Sequence, residues 1–234
     1  MPPHEQALVI FARVPRPGQV KTRLTPVFSS EEACEIHRAL VSDVVELSAR
    51  AVGGAASVFL SWSEPIAGVA AIDGVPATVS IESQGRGDLG ERMALSIQSK
   101  MSAGYRRVII LGSDAPTLPA DHLVTAFESL RSAEVVIGPS EDGGYYLIGM
   151  SKLRLEIFRG IRWGSNEVIG ATHKRLRKAG ARYHDLGMWH DVDSPSDIGR
   201  LWKELLRMKE RRAPELPERT WRVLSRLPPG RIPL

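Results

Sequence analysis

The sequence of 234 residues contains one cysteine, no long apolar run and only 6% aromatic residues. The single cysteine, Cys34, excludes an intrachain disulfide, and we expect it to be a small apolar residue of a helix in a reducing compartment. No run approaches the roughly 20 apolar residues that a membrane helix needs. The N-terminal sequence MPPHEQALVIFARV has no basic region before its apolar run, so we expect no signal peptide and a cytoplasmic location.

The sequence also lacks an even distribution of charge. The formal net charge is +4, but residues 200–234 alone hold ten basic and four acidic residues. Residues 1–199 hold 21 basic and 23 acidic residues, so the basic character belongs to the C-terminal end. No strip of basic and aromatic residues is present, which argues against nucleic-acid binding. An apolar content of 43% is sufficient for one substantial core.

Short β-branched segments alternate along the chain with amphipathic helical segments, a pattern that is typical of an α/β fold. The segment RRVIILG is apolar without alternation, which predicts a central strand covered on both faces. Ser29 and Glu32 have the spacing of a capping box ahead of the first helix. We predict strands at Ala7–Ala12, Ala56–Trp62, Thr78–Glu82, Arg107–Gly112, Glu134–Gly138, Tyr145–Met150 and Arg182–Leu186. We predict helices at Ser30–Arg50, Leu89–Ala103, Ala120–Ser132, Asn166–Ala179 and Pro195–Arg211.

These elements predict one three-layer α/β/α domain with a mostly parallel mixed sheet over residues 1–211. Residues 212–234 are predicted to be a proline-rich, basic C-terminal extension that lies on the surface. Ligands of open α/β sheets bind beyond the carboxyl ends of the strands. Arg13, Lys21 and Arg23 follow the first strand, whereas carboxylates follow the later ones. We therefore predict a phosphate-bearing ligand held by the cations and a divalent metal, Mg²⁺ or Mn²⁺, held by aspartate.

The segment GSDAPTLP places Asp114 two residues beyond the predicted central strand. Mg²⁺ prefers one or two carboxylates together with substrate phosphates, so one aspartate at this position is chemically adequate. The alternative is a helix cap, but Pro119 is the plausible first residue of the next helix and Thr117 lies nearer to it. This spacing favours Asp114 as a metal ligand.

The segment HDVDSPSD offers His190, Asp191 and Asp193 just before a helix. Asp193 or Ser194 is a natural cap ahead of a proline in the first turn, but capping does not require three potential ligands. Asp193 is therefore a candidate for a second metal contact. His190 is a candidate base or a ligand of the acceptor.

The segment EDGGYYLIG contains Asp-Gly between two β-rich runs, which predicts a hairpin turn. The same turn can carry a site, because Gly143 and Gly144 allow the backbone to approach a substrate while Asp142 lies near the metal. We predict both roles together and include Tyr145 on the substrate side.

Two further loops contribute candidates on the substrate side. In QGRGDLGERM, Asp88 can cap the helix that begins at Leu89, and the glycines around Arg86 permit turns that could contact a ligand. In RWGSNEV, Trp163 either packs in the core or stacks on a base or sugar, and Ser165 lies beside it. No chemistry is predicted for three other histidines, namely His37, His122 and His184.

Taken in order, the motifs FARVPRPGQVKTRL, GDLGERM, GSDAPTLP, GPSEDGGYYLIG and DVDSPSD resemble a bacterial glycosyltransferase-A-like family that carries the label of a domain of unknown function. Its members are often named glycosyltransferases associated with radical-SAM enzymes or arsenosugar biosynthesis. The resemblance spans Leu8 to about Leu201. It implies the Rossmann-like fold of nucleotide-diphospho-sugar transferases, which is shared with phospholactate and molybdenum cofactor guanylyltransferases.

The resemblance also implies roles for particular residues. Asp114 matches the metal-binding aspartate at the tip of the central strand, Asp193 matches the second carboxylate, and the EDGG turn matches the acceptor side. The sequence departs from the usual Asp-x-Asp of sugar-nucleotide transferases, because Ser113-Asp114-Ala115 supplies one acid. It departs from the guanylyltransferases in its first loop, which is stiffened by proline where theirs is rich in glycine.

Three functions follow from these expectations. In the first, a metal-dependent transferase moves a sugar from a nucleoside diphosphate to a small-molecule acceptor, with Asp142 or His190 as base. In the second, a nucleotidyltransferase moves a nucleoside monophosphate from a triphosphate to a phosphorylated acceptor and releases pyrophosphate. In the third, the protein binds a nucleotide without catalysis. The oligomeric state and the base are left open. In the two catalytic functions, the phosphates contact Arg13, Lys21, Arg23 and Ser113, and the substrate side comprises Asp88, Gly143, Gly144, Tyr145, Trp163 and Ser165.

Overall fold

A computed structural model describes residues 2–65, 72 and 74–233 of the chain. Its centre is a seven-stranded sheet in the order β3-β2-β1-β4-β6-β5-β7. Strands β3, β2, β1 and β4 run parallel, β6 lies antiparallel between β4 and β5, and β7 runs parallel to β5. The strands are β1 (Gln6–Ala12), β2 (Ser57–Trp62), β3 (Val79–Ser83), β4 (Arg107–Gly112), β5 (Val135–Pro139), β6 (Tyr145–Met150) and β7 (Tyr183–Asp185).

Helices cover both faces of this sheet. In the described part of the chain they are α1 (Ser30–Val52), α2 (Leu89–Ser102), α3 (Ala120–Ser129), α4 (Val168–Lys178), α5 (Pro195–Glu210) and α6 (Glu218–Ser225). Short 3₁₀ turns lie at Thr22–Leu24 and Leu155–Phe158. None of the described helices is both long enough and apolar enough to cross a membrane.

The helix starts follow the side chains that precede them. Ser29 and Glu32 form the predicted capping box of α1, in which each side chain accepts a hydrogen bond from the other residue's backbone N–H. Asp88 and Glu91 form the same arrangement at the start of α2. The two capping boxes therefore fix where the loops after β1 and β3 end.

Two apolar clusters lie on opposite faces of the sheet, as the three-layer prediction requires. Alternate residues of β1 point to opposite sides, so that Leu8 and Ile10 join the cluster with α1 and α3, whereas Val9 joins the cluster with α2. Strand β4 lies between β1 and β6 and is buried from Val108 to Leu111, which confirms the prediction that it is central.

The C-terminal segment differs from the predicted surface appendage. Helix α6 packs against α1, and Leu224 is buried with Leu40 and Leu201 in a third apolar cluster. Asp43 of α1 accepts hydrogen bonds from the backbone N–H groups of Arg219 and Thr220, at 3.2 and 2.7 Å. These contacts supply acceptors for the free N–H groups in the first turn of α6, so this helix is a structural part of the fold.

Candidate functional site

A cleft of about 610 Å³ opens at the carboxyl ends of β1 and β4. The parallel strands place the segments that follow β1, β3 and β4 at this edge of the sheet, as expected for an open α/β fold. Eight of the predicted site residues line the cleft, namely Arg13, Lys21, Arg23, Ser113, Asp114, Asp142, Trp163 and Asp193. The cations of the first loop and the carboxylates of the later loops thus face one space.

Lys21 lies at the centre of this arrangement. Its Nζ donates hydrogen bonds to the carbonyl oxygen of Val192 at 2.7 Å and to Asp193 Oδ1 at 2.9 Å. The same Nζ forms an ion pair with Asp114 Oδ1 at 2.8 Å, although the Lys21 side chain is only 4% exposed. Burial alone would lower the pKa of Lys21, but the two carboxylates outweigh burial and raise the pKa above its ordinary value.

The backbone of Lys21 is left-handed, with φ of 47° and ψ of 39°. A residue with a side chain seldom adopts this conformation, which costs about 1–3 kcal/mol and persists where neighbouring structure imposes it. The 3₁₀ turn begins at the next residue, and His37 Nε2 donates to the carbonyl oxygen of Arg13 at 3.0 Å on the other side of the loop. The strained backbone conformation therefore belongs to Lys21, whose side chain connects the loop after β1 to Asp114 and Asp193.

Asp193 is available to a ligand because Ser194 takes the capping role. Ser194 is the residue ahead of α5, it shares a capping box with Asp197, and Pro195 occupies the first turn. Burial would raise the pKa of Asp193, but the ammonium group of Lys21 outweighs burial and lowers it. The Asp193 carboxylate is therefore ionised at neutral pH, and its side chain is 46% exposed at the cleft.

The donor set fits a divalent cation held jointly by protein and ligand. Asp114 and Asp193 each have a carboxylate oxygen within 2.9 Å of the same Lys21 Nζ, so the two carboxylates lie close together around one ammonium group. Among residues 2–65, 72 and 74–233, no cluster of three or more His, Cys, Asp or Glu side chains is arranged to hold a metal. Mg²⁺ and Mn²⁺ accept two carboxylates when phosphate oxygens complete their coordination. The residues therefore fit a metal that arrives with a phosphate ligand.

The EDGG segment forms the predicted turn between β5 and β6. Asp142 lines the cleft, and its Oδ1 accepts a hydrogen bond from the N–H of Gly144 at 2.9 Å. Gly143 has φ of 88°, and a Cβ at this position would lie 2.3 Å from the carbonyl oxygen of Asn166. Gly143 and Gly144 do not line the cleft, so the structure gives them the role of shaping the turn that carries Asp142.

Trp163 packs in the core and also lies at the wall of the cleft. Its ring packs edge-on against Tyr145 at 6.3 Å and beside Phe158 at 6.4 Å, yet it also lines the cleft. Tyr145 belongs to the buried packing around it, and burial raises the pKa of its phenol. Ser165 donates to the carbonyl oxygen of Arg162 at 2.8 Å, and neither it nor Tyr145 reaches the cleft. Asp88 likewise serves as a cap while its neighbour Leu89 lines the cleft.

His190 is not brought to the cleft, in contrast to the expectation that it could act as a base. Its ring is buried, stacks on Trp189 with centroids 5.2 Å apart, and places Nε2 3.3 Å from Glu204 Oε1 on α5. Asp142 is therefore the candidate base that remains at the cleft.

Asp191, which the sequence placed beside His190, lies between the loops. Its Oδ2 accepts a hydrogen bond from the hydroxyl of Ser140 at 2.9 Å. Burial, together with the negative charge of Asp114, raises the pKa of Asp191 to about 7. This carboxyl group thus links the loop after β7 to the turn after β5.

Gln84 and Arg92 line the cleft although the sequence did not single them out. Gln84 Nε2 donates to the carbonyl oxygens of Ser61 and Ala12 at 2.8 and 3.2 Å, and its Oε1 accepts from Arg92 Nη1 at 2.5 Å. Burial, and then the positive charge of Arg13, lower the pKa of Arg92. Gln84 directly follows β3, so the rule that sites lie at strand ends could have identified it.

His37 is a second residue that the sequence left without a role. It is buried and lines the cleft. Burial lowers the pKa of its imidazole ring, even though the negative charge of Asp114 opposes this effect, so the neutral form is favoured. Because its Nε2 faces a carbonyl oxygen, Nε2 carries the proton, and Nδ1 is an acceptor with no hydrogen-bond partner among the described residues. No sequence pattern marks this position, since His37 lies within the apolar face of α1.

Solved structures share this fold at low sequence identity. A CMP:2-keto-3-deoxy-manno-octonic acid synthetase complexed with CTP has a TM-score of 0.55 and 13% identity, with 86% of this chain and 98% of that chain covered. A cytidylyltransferase from Leptospira borgpetersenii serovar Hardjo-bovis has a TM-score of 0.53 and 12% identity, with 91% and 97% covered. A search of curated proteins finds no sequence match.

A nearer relationship comes from a "putative nucleotide-diphospho-sugar transferase" of Desulfovibrio desulfuricans G20. Its crystal structure has a TM-score of 0.82 and 30% identity, and the alignment covers 95% of this chain and 94% of that chain. The family described as "Uncharacterized protein conserved in bacteria (DUF2064)" matches residues 44–165, which is more than half of the chain. By both comparisons, the chain is a member of the DUF2064 family with the fold of nucleotide-diphospho-sugar transferases.

Proposed function

We propose that the protein transfers a sugar from a nucleoside-diphosphate sugar to a hydroxyl group of a small acceptor, with Mg²⁺ or Mn²⁺. The observation that carries this proposal is the convergence of Asp114 and Asp193 on Lys21, in a cleft that Arg13, Arg23 and Arg92 also line. The fold and the 30% identity to a protein named for this activity support the broader statement, a transferase that uses a nucleotide.

Each group of residues has a defined part in this reaction. Arg13 and Arg23 would contact the diphosphate, and their positive charges favour the departure of a nucleoside diphosphate as an anion. Lys21, whose ammonium group already contacts Val192, Asp114 and Asp193, would instead hold the two aspartates in place. Asp114 and Asp193 would hold the divalent cation, which supplies further neutralisation of charge on the leaving group. The walls of the cleft would orient the sugar by restricting its position.

The proton of the acceptor hydroxyl requires a base within hydrogen-bond distance. Asp142 is the carboxylate at the cleft that is not within ion-pair distance of Lys21 in the described structure. Its hydrogen bond from Gly144 holds the side chain in place while leaving its other oxygen to accept a proton. We therefore assign the base to Asp142 in this proposal.

Nucleotidyl transfer is the second candidate, and the structural neighbours favour it. A cytidylyltransferase and a synthetase complexed with CTP share the fold. Three arginine side chains at the cleft, namely Arg13, Arg23 and Arg92, could also contact a triphosphate. In this reaction, an oxygen of a phosphorylated acceptor attacks the α-phosphorus, the bond to the β-phosphate breaks, and pyrophosphate leaves.

A ligand panel separates these functions. Thermal unfolding is measured with Mg²⁺ or Mn²⁺ and either sugar nucleotides or nucleoside triphosphates. Glycosyl transfer predicts stabilisation by a sugar nucleotide and release of a nucleoside diphosphate. Stabilisation by triphosphates alone, with release of pyrophosphate, would overturn the glycosyltransferase proposal. No stabilisation by any nucleotide would overturn both reactions.

Asp114→Asn tests the metal assignment. The substitution keeps the shape of the side chain and removes its charge, so we expect a folded protein whose nucleotide binding no longer depends on the metal. Asp121→Asn is the matched control, because Asp121 is exposed on α3 and lies outside the cleft. Metal dependence that is unchanged in the Asp114 variant would remove this residue from the site.

A further inference from the structure

Glu204 is a half-buried residue of α5 that lies behind the cleft, and the proposed reaction does not use it. Three loops near it carry the cleft carboxylates: the loop after β4 with Asp114, the turn after β5 with Asp142, and the loop after β7 with Asp193. Its side chain is 24% exposed, so its contacts are made in a partly desolvated position.

Glu204 contacts two of these loops directly. Its Oε2 accepts a hydrogen bond from Thr117 Oγ1 at 3.0 Å, and its Oε1 lies 3.3 Å from His190 Nε2. Thr117 lies three residues after Asp114, and His190 lies three residues before Asp193. The Glu204 carboxylate thus contacts each loop at a residue that is three positions away in the sequence from a proposed metal ligand.

The third loop is reached through Arg200, which lies one turn before Glu204 on α5. Arg200 Nε is 3.5 Å from Glu204 Oε1, and its two terminal nitrogens donate to both oxygens of Glu141 at 2.6 and 3.1 Å. Glu141 directly precedes Asp142. A paired contact of this kind fixes direction as well as distance.

Backbone hydrogen bonds connect the same loops to each other. Val192 N–H donates to the carbonyl oxygen of Asp114 at 2.9 Å, and Glu141 N–H donates to that of Trp189 at 3.0 Å. A displacement of one loop therefore displaces the others. Burial would raise the pKa of Glu204, but His190 and Thr117 outweigh burial and lower it, so Glu204 is ionised at neutral pH. It accepts a hydrogen bond from Thr117 and lies within ion-pair distance of His190.

We propose that Glu204 is a positioning residue that sets the separation of Asp114 and Asp193 through Thr117 and His190. This inference rests on the proposed function, in which those two aspartates hold a metal with a phosphate ligand. Groups that orient metal ligands commonly change metal affinity or activity about 10- to 100-fold when they are replaced. Glu204 is placed to have an effect of that size without touching the ligand.

The test uses Mn²⁺ with inorganic pyrophosphate as the probe, because this pair does not depend on the identity of the base or sugar. Binding to the full chain is measured by calorimetry for the wild type, Glu204→Gln and Thr117→Val. We expect each substitution to weaken binding about 10-fold or more. Glu210→Gln is the control, since Glu210 is exposed on the same helix and changes the charge equally.

A second measurement separates positioning from stability. Thr117→Ser keeps the hydroxyl group that donates to Glu204, so it should restore binding that Thr117→Val loses. Thermal unfolding of each variant is measured in parallel. Binding by Glu204→Gln and Thr117→Val as tight as that of the wild type, whatever their melting temperatures, would overturn the positioning role alone. Absence of binding to the wild type would overturn the proposed function and the positioning role together.

Discussion

Replacement of Lys21 by methionine tests the electrostatic centre of the cleft. Methionine has a similar length and removes the charge, so Asp114 and Asp193 lose the ammonium group between them. Removal of one partner from a buried ion pair costs about 3–5 kcal/mol. The two carboxylates that remain are 34% and 46% exposed and keep part of their hydration, so we expect a loss of about 2–3 kcal/mol in the free energy of unfolding.

The pH dependence of this loss follows from the direction of the pKa shifts. Lys21 lowers the pKa of Asp193 in the folded protein, and this shift stabilises the fold above the ordinary aspartate pKa of about 3.9. The stabilisation is lost as the pH falls through the lowered pKa of Asp193. The raised pKa of Lys21 keeps its own contribution intact below about pH 10. The difference between wild type and variant should therefore be largest near neutral pH and should decrease below about pH 4.

Urea unfolding near neutral pH and at about pH 3, below the ordinary aspartate pKa, measures this difference. Lys203→Met is the control, because Lys203 is exposed on α5 and makes no ion pair among the described residues. A Lys21 variant that loses less than about 1 kcal/mol near neutral pH, the size of an exposed ion pair, would refute the central role of this lysine. A loss of the expected size that does not change with pH would refute the assignment to the carboxylates.

Two further predictions concern local structure. Gly143→Ala should destabilise the protein by about 2 kcal/mol or more and weaken nucleotide binding, because φ is 88° and the new Cβ would lie 2.3 Å from Asn166 O. Gly170→Ala, which meets open space within α4, should instead stabilise the protein by roughly 0.5–1 kcal/mol, and urea unfolding of both variants measures the contrast. Asp43→Ala removes the acceptor for two N–H groups of α6 and should cost about 1–2 kcal/mol, with earlier proteolysis of residues 213–233 as the second measurement. Unchanged stability and proteolysis would show that α6 does not need this cap.

Local sequence rules predicted most of the fold because they act over a few residues. The capping box at Ser29, the helix cap at Asp88, the buried strand RRVIILG and the Asp-Gly turn were each visible in a short window. The third apolar cluster was not visible in this way. In residues 212–234 the prolines and arginines obscured a helix of eight residues, whose burial depends on stacking of Trp221 on Trp202 and on the acceptor Asp43 in α1.

The position of His190 outside the cleft differs from the prediction, but the sequence contains the pattern that would have indicated it. Its segment pairs with neighbouring backbone at Trp189 and Val192, as an extended chain does, so successive side chains point to opposite sides. Val192 is apolar and fully buried against α5, and His190 shares its side. The alternation H-D-V-D therefore directs Asp193 to the cleft and His190 away from it. His190 was proposed as a base from its residue type and its place before the helix, without consideration of the side to which its side chain points.

The ion pairs of Lys21 could not be predicted from the sequence, because Asp193 lies 172 residues further along the chain. Only the sheet order brings the two together. The cations Arg13, Lys21 and Arg23 follow β1, and Arg92 lies on the helix after β3, whereas the carboxylates follow β4, β5 and β7. A single side chain, Lys21, spans the two groups.

The sheet order also explains why the cleft lies where it does. In the order β3-β2-β1-β4-β6-β5-β7, strands β2 and β3 lie on one side of β1. The later strands, β4 to β7, all lie on its other side. The boundary between the cationic half and the acidic half therefore falls between β1 and β4, the point at which ligands enter open α/β sheets. A diphosphate alone would suit only the cationic half, and a free metal ion only the acidic half. A metal-bound diphosphate satisfies both halves at once, which is the reason for proposing a nucleotide with its metal as the ligand and for expecting that neither component alone binds as tightly.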